Sequence, residues 1–66
     1  MSNKAHLAQE ILDNPLWDEI YTKLLNRHFE TMIDPSKTAE ETLEAKRQYN
    51  ALRQIKRDFD WELKQP

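Results

Sequence analysis

The chain has 66 residues, of which 33% are charged, with a formal net charge of −2 and neither glycine nor cysteine. That length sets a single domain, residues 1–66, with a modest core. Without thiols there are no disulfides or thiolate metal sites; without glycine, β-hairpins and phosphate-cradling loops are disfavoured; near-balanced charge argues against bulk attraction to nucleic acid or anionic membrane.

The first predicted element is a short helix over about residues 4–12, with Leu7, Ala8, Ile11 and Leu12 as its apolar side. It ends near Asp13, because proline disfavours helical geometry in the residue before it. Asn14-Pro15 reads as an N-cap followed by proline at the first helical position, where the missing N–H costs nothing. A second helix follows over about 15–33. Its apolar residues run from Leu16 and Trp17 through Tyr21, Leu25, His28 and Phe29 to Met32. They cover an arc of roughly 220°, against the ~100° stripe of a helix packed on one side. More than one neighbour is needed to cover it.

Asp34-Pro35-Ser36-Lys37 is turn chemistry. Thr38 and Glu41 then form a capping box that opens a third helix over about 39–64. Along that helix Ala45, Tyr49, Leu52, Ile55, Phe59 and Leu63 make one narrow seam centred on Leu52. Acidic Glu40, Glu44, Asp58 and Glu62 flank it on one side; Lys46, Arg53, Arg57 and Lys64 flank it on the other.

These elements specify an all-α fold, an antiparallel helical hairpin with a short N-terminal helix. In an antiparallel pair, Lys23 and Arg27 would face Glu44, and Asp18 would face Arg53 and Arg57. The third helix, at roughly 39 Å, outreaches the second, at roughly 29 Å. The N-terminal helix is expected to fold back over the overhang that carries Phe59, Trp61 and Leu63.

The run Gln9-Glu10-Ile11-Leu12-Asp13-Asn14-Pro15-Leu16-Trp17, with the amphipathic helix, proline turn and final helix after it, resembles small uncharacterised helical-hairpin proteins of tailed bacteriophages. The resemblance implies a virion or assembly role. It offers no functional residue to carry over.

For function, the residues point away from chemistry. No serine lies near a histidine on compatible spacing, the carboxylates lie on solvent-facing flanks, and so small a chain has little room for a concave pocket. No enzyme, cofactor, metal or small-molecule substrate is expected. His6 and His28 are too far apart to share a metal.

The expectation is a protein–protein interaction module that self-associates. Leu25, Phe29 and Met32 would form one surface, on the side of the second helix away from the seam. Leu43 and Trp61, five turns apart at one azimuth, would form another, unless the N-terminal helix covers Trp61. A nucleic-acid-binding accessory protein, using Lys46, Arg53, Arg57 and Lys64 with Trp61 beside them, is the alternative. An inhibitor of a host enzyme is a third. No apolar run reaches the ~18 residues of a membrane span, and no secretory signal is evident, so the host cytoplasm or a virion is the expected location.

Overall fold

The computed structural model describes residues 3–65, and the fold is all-α. Helix α1 spans Asn3–Leu12, α2 spans Pro15–Ile33 and α3 spans Ala39–Leu63. Helices α2 and α3 pack as an antiparallel hairpin, and α1 doubles back to pack mainly on α3.

Local chemistry sets each boundary. Asn14, in extended geometry, accepts a 2.8 Å hydrogen bond from the Leu16 N–H at the start of α2, with Pro15 in the first turn. Proline supplies the fixed φ that a first turn needs, and the Asn14 side chain satisfies a donor that has no intrahelical partner. Helix α2 stops at Asp34, which Pro35 holds in extended geometry. The Asp34 carboxylate accepts from both the backbone N–H and the hydroxyl of Ser36, at 2.9 and 2.7 Å. Those two bonds hold its carboxyl below the usual carboxylate range.

The capping box is closed on both sides. Glu41 N–H donates to Thr38 Oγ1 at 3.1 Å, and Thr38 N–H donates to Glu41 Oε1 at 3.3 Å.

Aromatic rings fix the hairpin register. Trp17 stacks on Tyr21 at 5.5 Å between centroids and meets Phe59 edge-on, also at 5.5 Å. Nearer the turn, Phe29 lies 6.3 Å from Tyr49. Offset and edge-on arrangements suit the ring quadrupoles, and each pair adds about 0.5–1.5 kcal/mol beyond its area.

The interior is small. Only Ala5, Ala8, Tyr21 and Ala45 are buried among the described residues. On α3 the half-buried positions include Thr42, Tyr49, Leu52, Lys56, Phe59, Asp60 and Leu63. Ile55, expected in the seam, is instead 46% exposed. The inward face is rotated by roughly two-fifths of a residue step, at about 100° per residue, from one centred on Leu52. That rotation carries Ile55 out and Lys56 in, where the aliphatic stem of Lys56 can line the seam.

Helix α1 differs from expectation in a similar way. It docks through Ala5 and Ala8, leaving Leu7 and Ile11 exposed. Small side chains let the two backbones approach closely, which larger Leu7 and Ile11 would prevent. It also leaves Trp61 uncovered, at 60% exposure.

The expected charge meetings between helices are not made as ion pairs. Among the described residues the pairs are His6–Glu10, Lys37–Glu41 and Arg47–Glu44, all local in sequence. Exposed pairs of this kind are worth at most about 1 kcal/mol, so apolar packing decides the register.

The molecule is flat. Its Cα atoms fit within 47 × 20 × 10 Å, and the radius of gyration is 14.7 Å. A compact chain of this length would have a radius near 11 Å.

Two outcomes follow. Thr38→Ala should cost about 1 kcal/mol in urea denaturation by removing the cap; an unchanged midpoint would show that the box contributes nothing. Ala8→Leu should cost about 1–3 kcal/mol by overpacking the α1–α3 contact. Leu7→Ala should cost less, and the reverse order in thermal melts would mean that α1 docks by its other side.

Candidate interaction surfaces

Each predicted site residue can be placed. Leu25 and Met32 are half-buried. Phe29 is 47% exposed, but its ring rests near Tyr49 on α3. A phenyl ring is long enough to reach round the flank of α2, so Phe29 also takes part in the hairpin contact. Leu43 and Trp61 are both exposed. They lie on one line of α3, facing away from α2, but 18 residues of helix separate them by about 27 Å. Trp61 has closer company in Ile55 and Phe59, with which it lines a shallow concavity edged by Asp58 and Glu62.

The basic flank is present as an exposed row of Lys46, Arg53, Arg57 and Lys64 along α3. Arg53 lies over the Tyr49 ring, 5.8 Å from its centroid. Asp60, half-buried, interrupts the row near its C-terminal end.

Two features escaped the sequence. One is a groove at the turn end of the hairpin, lined by His28 and Thr31 of α2 and by Glu40, Glu41, Glu44 and Gln48 of α3. Its acidic character comes from one helix only. The other is the exposure of Leu16 at 59% and Ile20 at 48% on α2. A wide apolar arc on α2 was legible, but which part of it stays open depends on where α1 packs.

Tyr21 is the one buried titratable ring among the described residues. Burial raises its pKa above 10.0; Arg53 lowers it, Tyr49 and Asp60 raise it, and Arg57 lowers it. The arrangement holds no cluster of three or more histidine and carboxylate groups that could grip a metal, among the described residues. No helix among them is long and apolar enough to cross a membrane.

Comparison with protein-family models, with curated proteins and with solved structures gave no match.

The Tyr21 shift has a measurable sign. Its folded value lies above its unfolded value, so its contribution is complete below pH 10.0 and is lost as pH rises through the folded value. Stability of the natural chain should therefore fall as pH rises above about 10, and less so for Tyr21→Phe. Parallel losses in urea titrations of the two proteins would show that the ring titrates as if exposed.

Proposed function

We propose that this chain is a non-enzymatic protein–protein interaction module that associates with itself. The resemblance to phage hairpin proteins gives the setting, as an accessory in particle assembly.

The observation that carries the reading is the balance of buried and open apolar groups. No large side chain is fully buried among the described residues, whereas Leu16, Ile20, Phe29, Ile33, Leu43, Ile55 and Trp61 are all exposed. Single exposed leucines are ordinary, but this number on so small a chain supports the reading of a contact surface. The accessible surface agrees. It is 5222 Å² for an 8.0 kDa chain. A monomeric protein of that mass exposes about 4,450 Å².

Light scattering from roughly 10 to 100 μM tests the reading. A mass near twice 8.0 kDa is expected at the upper end. A constant monomer mass across that range would overturn self-association.

A second reading, nucleic-acid binding, is favoured by one observation: Lys46, Arg53, Arg57 and Lys64 form an exposed row beside an exposed Trp61. Its mark would be a labelled single strand bound with strong salt dependence, lost on Arg53→Ala with Arg57→Ala.

A further inference from the structure

Helical phase divides the hairpin into two faces. At about 100° per residue, with the alignment set by the Trp17–Phe59 and Phe29–Tyr49 contacts, Phe29, Tyr49, Arg53 and Asp60 fall on one face. Helix α1 covers the end of that face, since Tyr21 is buried and Lys56, Asp60 and Leu63 are half-buried there. Leu16, Ile20, Arg27 and Thr31 of α2 fall on the other face, with Glu44, Gln48, Ile55 and Glu62 of α3. The groove lined jointly by Thr31, Glu44 and Gln48 places these helix flanks together directly. On this second face Leu16, Ile20 and Ile55 remain 46–59% exposed.

We infer that a second copy of the chain docks on this open face, with the two-fold axis parallel to the long axis of the hairpin. The inference rests on the self-association reading and specifies its geometry. Rotation about that axis keeps every residue at its own height and lays α2 of one copy over α3 of the other. The result is a four-helix core in which neighbouring helices all run antiparallel. Leu16 and Ile20 meet Ile55 and Phe59 of the second copy, and the same contact recurs on the other side of the axis.

Two observations favour this occupant and this axis. The first is area. The chain exposes roughly 800 Å² more than a monomer of its mass, which is about what each partner buries in a standard interface.

The second is charge. The open flank of α2 carries Arg27, with Lys23 and Glu30 at its edge, while that of α3 carries Glu44 and Glu62. Crossing α2 onto α3 lays a flank whose central charge is Arg27 over one that carries two carboxylates. An axis across the helices would set α3 on α3, and Glu44 near Glu62 of the other copy, with like charges opposed. Electrostatic matching of this kind fixes register more than affinity.

The experiment uses the full chain. Ile20→Lys and Ile55→Glu should each weaken the dimer roughly tenfold or more by light scattering, with helical circular dichroism retained because both positions are already half-exposed. Mixed in equal amounts, the two variants should recover the dimer mass, since Lys at 20 then faces Glu at 55 across the axis.

A cysteine version does not depend on disruption. Ile20→Cys and Ile55→Cys chains, mixed with a short bismaleimide, should crosslink to each other in preference to themselves. A dimer in which single variants behave as the natural chain, or crosslinks of 20 to 20, would overturn the face and axis while leaving self-association intact. A natural chain that stays monomeric would overturn both.

Discussion

A layer about one helix thick has almost no interior. Every helix in it must show two sides to water, whatever its sequence. In this chain the Cα atoms span only 10 Å in the thin direction, and among the described residues the buried positions are three alanines and one tyrosine. The larger apolar side chains lie at edges and on faces, half-covered. Stability then depends on ring contacts along a single line, Trp17 with Tyr21 and Phe59, and Phe29 with Tyr49. The unburied remainder is what makes association with another surface the physical expectation, because the apolar area still in contact with water is the driving force for it.

The helix ends were legible because their causes are local. Asn14-Pro15, Asp34-Pro35 and the Thr38–Glu41 box each act within four residues, and in the structure each makes the hydrogen bonds that its residue types imply. The all-α hairpin followed from three such punctuation marks and two amphipathic patterns. Helical phase was legible only approximately. An apolar residue at the margin of a stripe, such as Ile55, cannot be told from one at its centre without knowing the neighbour. Lys56 reads as polar, yet it is half-buried where Ile55 is exposed.

The open apolar surface was the least legible part. Counting apolar residues on α2 showed that one neighbour was too few. Which residues stay open was decided by α1, and α1 docks by its alanines and not by Leu7 and Ile11. Helix amphipathicity weighs bulky residues most, so it points to the wrong side of a helix that is held by close backbone approach. The charge pattern misled for a different reason. Lys23 and Arg27 do lie on the outer part of α2, alongside Asp18 and Glu30, but long flexible side chains at an exposed edge gain little by reaching across.

The ten residues of α1 fall short of the ~12–15 that an isolated helix needs to be even marginally stable in water. Pro15 also prevents it from being an extension of α2, since the helix cannot propagate back through a residue without an N–H. Its helical state therefore exists only while Ala5 and Ala8 are seated. In amide hydrogen exchange, α1 would behave as its own cooperative unit, opening at a free energy below that of global unfolding. Protection of its amides would report whether it is docked, and not how helical its ten residues are.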